Sequence, residues 1–200
     1  MATVLDVVPA NDASWDDVKA VFGARGDAAH CWCQRYKSWD LWSDIPREAL
    51  ADRLFDQAGC GDPEAGRTSG LVGYLDGEPV AWCAVEPRTE YARLLRMPIP
   101  WQDRPEQDRA DASVWAVTCF VVRAGYRRRG FSRVMAKAAV DYARERGASA
   151  LEAYPMVASP GQDVTWGEMH VGARSIFAAA GFAEVTHPSK RRYVMRIDFA

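Results

Sequence analysis

The chain has 200 residues, of which 48% are hydrophobic and 26% charged, values that favour one globular domain and argue against disorder. Its net charge of −2 gives no general attraction to nucleic acid or to an anionic membrane. No apolar run approaches the roughly 20 residues of a membrane span. The N-terminus lacks a basic segment followed by a long apolar one, so we expect a cytoplasmic protein without a signal peptide.

The first half of the chain predicts a mixture of strands and helices. Residues 3–8 form a strand candidate, and Ser14 followed by acidic residues is typical of a capped helix start. Residues 46–57 predict a helix that opens with a proline. Residues 71–75 and 80–85 predict a β-hairpin, because an Asp-Gly pair lies in the turn between them.

The five cysteines do not predict a metal site. Cys83 and Cys119 lie inside predicted strands, where we expect buried and inert thiols. Cys31 and Cys33 form a close pair, but no second pair at metal-site spacing accompanies them. We therefore predict no bound metal.

The strongest functional signal lies between residues 114 and 147. Val114–Val122 is apolar and β-branched, which predicts a buried strand, and residues 131–146 carry apolar side chains at helical spacing. Three consecutive arginines and Gly130 lie between them. A strand that leads through a glycine turn into a helix presents free backbone N–H groups and the positive end of a helix dipole, which bind phosphate. The alternative interpretation is a solvated basic loop or a nucleic-acid patch.

The segments around this unit continue the alternation of strands and helices. Residues 98–111 predict a charged surface excursion, in which Trp101 is either a gate or a packing anchor. Residues 149–154 predict a strand parallel to Val114–Val122, because a helix joins the two. The other predicted elements are a loop or lid over 156–168, a helix over 171–180, and strands over 182–185 and 192–199.

Two motifs give the chain a resemblance to the GNAT superfamily of N-acetyltransferases. Arg127-x-x-Gly130-x-Ser132 resembles the family's pyrophosphate-binding signature, although Ser132 stands where the family has glycine or alanine. Residues 170–182 resemble a later motif with matching alanine, glycine and phenylalanine. The resemblance covers residues 71–199 and implies one domain over residues 1–200. It also implies an α/β fold with a mixed, mostly antiparallel central sheet flanked by helices.

Two positions of the later motif depart from the family. His170 replaces an asparagine that commonly contacts the pantetheine arm, and Phe177 replaces a tyrosine that often donates a proton to the departing thiolate. A thiol of this kind has a pKa near ~8.5, so its anion is a tolerable leaving group without that donor. The substitution is therefore compatible with activity.

The resemblance implies transfer of an acetyl group from acetyl-CoA to an amine by direct attack in a ternary complex. The N–H of Phe120 is the implied oxyanion donor. Pantetheine amides are expected to pair with the strand, and the pyrophosphate is expected on the turn amides. The implied cofactor-binding residues are Cys119, Phe120, Val121, Val122, Arg127, Arg128, Arg129, Gly130, Phe131, Ser132, Arg133, His170 and Phe177.

A protonated alkyl amine must lose a proton before it can attack. Glu86 and Glu152 are the candidate general bases, since the strands that carry them flank the expected cleft. The alternative interpretation of each is an ordinary exposed carboxylate. Trp32, Tyr36 and Trp82 are candidate substrate-binding residues, with a core-packing role as the alternative.

The expected partner is a small-molecule amine, with no nucleic acid and no membrane. A protein or peptide N-acetyltransferase is the second enzymatic reading. A non-catalytic acyl-CoA-binding sensor is the alternative from another class, and Phe177 is its best support. The sequence leaves open the acceptor, the acyl-chain preference and whether the protein forms a homodimer.

Overall fold

The computed structural model describes residues 5–105, 109–157 and 165–200. Its strands are β1 (Asp6–Pro9), β2 (Gly70–Leu75), β3 (Glu78–Pro87), β4 (Val114–Val122), β5 (Ala150–Ala153), β6 (Ala183–Ser189) and β7 (Arg192–Asp198). Its helices are α1 (Trp15–Phe22), α2 (Asp27–Cys31), α3 (Arg47–Ala58), α4 (Phe131–Glu145), α5 (Trp166–Met169) and α6 (Arg174–Ala179). None of the described helices is long and apolar enough to cross a membrane.

The strands form one sheet in the order β1-β2-β3-β4-β5-β7-β6. Strands β4 and β5 run parallel, and the other described neighbours are antiparallel. This confirms the predicted mixed, mostly antiparallel sheet. Strand β5 pairs with β4 only as far as Val117, so residues 118–122 of β4 extend beyond it. The sheet therefore opens along one edge of its central strand.

Helices cover both faces of the sheet. Cys83 and Val85 of β3 pack on the face that also holds Met135 and Ala139 of α4. Trp82 and Ala84, which alternate with them, pack with α1, α2 and α3 on the opposite face. This alternation follows from the two-residue period of a strand, and it gives β3 a core on both sides.

Local sequence signals account for several element boundaries. The Ser14 hydroxyl accepts a hydrogen bond from the Asp17 N–H at 3.1 Å, as an N-cap does. Asp76 and Gly77 both have positive φ, 52° and 82°, which is the geometry that a tight hairpin turn requires. The predicted hairpin and the helix after residue 46 are confirmed.

Two predictions differ from the structure. The segment from residue 98 is not wholly a surface excursion, because Trp101 is 3% exposed and its Nε1 donates to the Leu94 carbonyl at 2.9 Å. Trp101 is thus a packing anchor rather than a gate. The helix predicted over 171–180 begins only at Arg174, since Gly172 has a φ of 85°. Much of the predicted loop or lid over 156–168 lies outside the described residues.

Candidate functional site

The predicted turn between β4 and α4 exists, and it leaves the first turn of the helix uncapped. A short 3₁₀ turn, Ala124–Tyr126, follows the strand. Arg128 and Gly130 then adopt left-handed conformations, with φ of 62° and 83°. Gly130 is the N-cap of α4, and no side chain caps the helix. Since the Arg133 N–H already donates to the Gly130 carbonyl at 2.9 Å, the open donors lie before Arg133.

The arginines of this turn have no carboxylate partner in the part of the chain that the structure describes. Arg127 donates from Nε to the Val122 carbonyl at 3.1 Å, which ties the turn to the end of β4. The Arg129 guanidinium lies 5.6 Å from the centre of the Tyr126 ring. Within the described residues, no ion pair joins the arginines of this turn to an acid. Their positive charge is therefore available to an anion.

A cleft of about 390 Å³ lies beside this turn, and we call it the β4–α4 cleft. One side is formed by predicted cofactor residues and the other by residues between α5 and α6. Its described lining comprises Phe120, Val122, Tyr126, Arg127, Arg128, Gly130, Phe131, Ser132, Arg133, Met169, Gly172, Ala173, Ser175 and Ile176. Cys119 and Val121 face away from it, because their side chains pack in the core against α1 and α3.

The open edge of β4 is in contact with residues 169–172, which we call the wall segment. The Phe120 N–H donates to the carbonyl oxygen of His170 at 2.7 Å. The same N–H is the predicted oxyanion donor, so that role requires release of this hydrogen bond. Met169 and Gly172 line the β4–α4 cleft.

The His170 side chain does not belong to the described lining of the β4–α4 cleft, and its surroundings indicate a structural role. Its Nδ1 lies 2.8 Å from the Gly167 carbonyl, which favours the tautomer with hydrogen on Nδ1. Its Nε2 is buried and has no hydrogen-bond partner within the described residues. Burial, with a smaller contribution from Arg35, lowers the pKa of His170 to about 4. The imidazole is therefore neutral at pH 7.

Phe177 is fully buried and does not line the cleft. Its ring centre lies 5.7 Å from that of Phe120 and 5.2 Å from that of Phe182. The sequence predicted cofactor contact for this residue. The structure instead places its ring behind Phe120, in the core shared with α4.

Glu86 and Glu152 lie in one row across the sheet, on either side of Ala116. Neither lines the β4–α4 cleft. Glu152 is wholly buried and pairs with Arg88 at 2.9 Å, Arg104 at 2.6 Å and Arg196 at 3.2 Å. Burial alone would raise its pKa, but the guanidiniums of Arg104 and Arg88 outweigh burial and hold the pKa of Glu152 below its usual value. Its prediction as a general base is corrected, because it is a charge partner in the core.

Glu86 has a different environment from Glu152. It forms a buried ion pair with the Lys37 ammonium, whose Nζ also donates to Gln57 at 3.1 Å. Burial raises the pKa of Glu86, and Lys37 offsets this only in part. The pair lines a cavity of about 580 Å³ that Trp115 and Arg146 also line. Glu86 thus faces a different cavity from the one next to Gly130.

Two of the three predicted substrate-binding aromatics belong to the core. Trp82 is fully buried, and Trp32 is stacked on Phe22 with ring centres 4.8 Å apart. Both pack against α1, which the sequence could not place over that face of the sheet. Of the three, Tyr36 lines a cavity of the described structure. Tyr154 and Arg192 also line this cavity, and the sequence predicted no functional role for either.

The five cysteines are free thiols, and four of them are buried. Among residues 5–105, 109–157 and 165–200, no group of three or more potential ligands has the geometry of a metal site. The close pair Cys31 and Cys33 lies at the end of α2, within the core.

Comparisons with known proteins agree with this architecture. A model of the acetyltransferase (GNAT) family matches residues 30–160. No curated protein sequence matches significantly. Similar solved structures include the GNAT domain of S. lividans PAT, at 16% identity and TM-score 0.54, covering 98% of this chain and 90% of that chain.

Two further similar structures have the same fold at low identity. The PaiA N-acetyltransferase of Thermoplasma acidophilum in complex with coenzyme A is 10% identical, with TM-score 0.53 and coverage of 98% and 99%. The ribosomal-protein-alanine N-acetyltransferase of Brucella melitensis is 16% identical, with TM-score 0.54 and coverage of 98% and 100%. With the family match over more than half of its length, the chain belongs to the GNAT acetyltransferase family.

Proposed function

We propose that this protein is an acetyl-CoA-dependent N-acetyltransferase that acts on a primary amine of a small molecule. The observation that carries the proposal is the junction of β4 with α4. There an open strand edge leads directly to an uncapped helix N-terminus and to arginines that have no carboxylate partner among the described residues. The PaiA structure, which has the same fold, contains coenzyme A.

The residues at this junction fit the chemical groups of coenzyme A. Backbone N–H groups at the start of α4 and the guanidiniums of Arg127 and Arg128 suit a pyrophosphate. Residues 118–122 of β4 offer backbone groups to the amides of an extended pantetheine arm. At Gly130 a Cβ would meet no atom within 4 Å, so the glycine leaves open space on this side of the turn.

The chemistry is the replacement of a thioester by an amide. Acetyl-CoA supplies the activated acyl group. A nitrogen–carbon bond forms, the carbon–sulfur bond breaks, the thiolate leaves and the nitrogen loses one proton. Phe120 would donate its N–H to the developing oxyanion after release from His170.

No described residue that lines the β4–α4 cleft is a carboxylate or a histidine. The proposal therefore requires the amine to arrive as the free base or to lose its proton to water. A thiol with a pKa of roughly 8.5 leaves as its anion near neutrality, so the absence of a tyrosine at position 177 is tolerable. We expect turnover to rise with pH toward the pKa of the acceptor, about 10 for an alkyl amine.

The test is the affinity for acetyl-CoA of Gly130→Asp, measured calorimetrically. Gly147→Asp is the matched control, since Gly147 also has positive φ and open space but lies at the other end of α4. Both variants introduce the same charge and similar backbone strain. We expect Gly130→Asp to lose at least about 100-fold in affinity, because its carboxylate would occupy the helix N-terminus and repel the pyrophosphate of acetyl-CoA. Wild-type affinity in Gly130→Asp would refute the assigned turn.

Activity separates an enzyme from a binding module. Thiol release is measured with acetyl-CoA and a panel of primary amines. Release that depends on an amine supports the proposed transfer. Tight binding of acetyl-CoA without release on any amine would replace the enzyme with an acyl-CoA sensor.

A further inference from the structure

A second cavity, which we call the Arg192 cavity, lies on the other side of the wall segment from the β4–α4 cleft. The Tyr36 ring, which lines this cavity, is 5.9 Å from the His170 ring, while Met169 and Gly172 on either side of His170 and Val171 line the cleft. One layer of chain thus separates the two spaces. The cavity has about 90 Å³ and is lined by Tyr36, Leu94, Met97, Ile99, Pro100, Tyr154, Pro188, Arg192, Tyr193 and Val194.

The lining of this cavity combines apolar groups with one charge. Leu94, Met97 and Val194 supply aliphatic surface, and Arg192 is the charged residue among the described lining. The neighbouring arginines of this hairpin have acidic partners, since Arg191 pairs with Glu168 at 3.1 Å and Arg196 with Glu152 at 3.2 Å.

Arg192 differs from those two arginines. Its guanidinium lies beside the Tyr36 hydroxyl, and within the described residues it has no ion pair with a carboxylate. It is half-buried, so water screens its charge only in part. A half-buried guanidinium in an apolar cavity favours a carboxylate ligand, which it can bind through two parallel hydrogen bonds.

We propose that this cavity binds the acceptor, and that the acceptor is a free amino acid with a short aliphatic side chain. This rests on the proposed acetyl transfer. The carboxylate binds Arg192, the aliphatic group packs on Leu94, Met97 and Val194, and the amine lies next to the wall segment. The nitrogen reaches the acetyl group when the wall segment moves off β4, with release of the same Phe120–His170 hydrogen bond that occupies the oxyanion donor. The volume limits the side chain, since an engineered apolar cavity of roughly 150 Å³ accepts benzene, and this smaller cavity suits a group of the size of isobutyl.

The larger cavity lined by Lys37 and Glu86 is a weaker candidate for the acceptor. It is also lined by Arg146, which follows the last residue of α4. A helix of 15 residues is about 22 Å long, so the end of this cavity at Arg146 lies roughly one helix length from the turn at Gly130. By contrast, only the wall segment separates the Arg192 cavity from the β4 edge.

The experiment compares three acceptors that differ by one group each. Leucine has the amine, the carboxylate and the aliphatic chain. Leucinamide has an uncharged amide in place of the carboxylate, and 3-methylbutylamine has neither a carboxylate nor an amide. Each is assayed for acetylation and, by calorimetry without acetyl-CoA, for binding. The variants are Arg192→Gln and the control Lys190→Gln, which removes the same charge from an exposed position two residues away.

We expect leucine to be the best acceptor. Arg192→Gln should raise its KM by about 10- to 100-fold, the range for loss of a charged hydrogen-bonding partner, and change kcat less than about threefold. Leucinamide and 3-methylbutylamine should be insensitive to the variant, and Lys190→Gln should behave as wild type. Equal use of leucine and 3-methylbutylamine, or an unchanged leucine KM in Arg192→Gln, would overturn the proposal.

Binding distinguishes this inference from the proposed function. Leucine binding that is lost in Arg192→Gln supports the cavity assignment even if no thiol is released. Absence of leucine binding to the wild type overturns the assignment even if other amines are acetylated.

Discussion

The N–H of Phe120 donates to the carbonyl oxygen of His170 at 2.7 Å, and this hydrogen bond joins the centre of the sheet to the wall segment. Phe120 belongs to the part of β4 that extends beyond its pairing with β5. His170 belongs to the layer that separates the β4–α4 cleft from the Arg192 cavity. The geometry of both cavities therefore depends on how the wall segment packs on the strand.

Gly172→Ala should disrupt this packing. Gly172 has a φ of 85°, and a Cβ there would lie 2.9 Å from ring atoms of both Phe120 and Phe177. Left-handed backbone costs an alanine about 1–2 kcal/mol, and the ring contacts add to it. We expect the free energy of unfolding to fall by about 2–4 kcal/mol in urea denaturation.

Gly66→Ala is the control for the Gly172 variant. Gly66 has no neighbour within 4 Å of a Cβ and does not require positive φ. We expect its free energy of unfolding to match the wild type or rise slightly. If Gly172→Ala were as stable as Gly66→Ala, the wall segment would not be held against Phe120.

The imidazole of His170 should make stability dependent on pH. Burial lowers its pKa to about 4 in the folded state, from the ordinary value of 6.5 for an exposed imidazole. The unfolded chain therefore binds a proton between pH 6.5 and 4 that the folded protein excludes. The free energy of unfolding therefore has its full value above pH 6.5 and falls by about 3 kcal/mol as the pH is lowered to 4.

His170→Asn isolates this effect, because asparagine can still donate to the Gly167 carbonyl but does not titrate. We expect the free energy of unfolding of the wild type to fall relative to His170→Asn as the pH is lowered from 6.5 to 4. His30→Asn is the control, since it makes the same substitution at an exposed position on α2. Parallel curves for wild type and His170→Asn would show that the imidazole is hydrated.

The strand–turn–helix unit could be predicted because its signals are local. The apolar run to Val122, the glycine at 130 and the helical spacing after it each act within a few residues. The open edge of β4 could be expected only through the family resemblance. It depends on where β5 stops pairing, which local sequence does not determine.

The roles of the two acidic residues could not be predicted because their partners are distant in sequence. Glu86 pairs with Lys37, and Glu152 with Arg88 and Arg104. A carboxylate at the end of a strand has the same sequence signature whether it serves as a base or neutralises a buried guanidinium. Trp82 presents a similar problem, because alternation in β3 does not say which face α1 covers.

Phe177→Tyr tests whether acid catalysis limits the proposed reaction. The new hydroxyl would be buried between the rings of Phe120 and Phe182, so we expect a loss of about 1–3 kcal/mol in the free energy of unfolding. Turnover should change by no more than about tenfold, since the thiolate leaves readily without a donor. Phe182→Tyr is the matched control, because it buries a hydroxyl in the same cluster away from the cleft lining. A gain in kcat well above tenfold in Phe177→Tyr alone would mean that its hydroxyl reaches the leaving group and that proton donation had been rate-limiting.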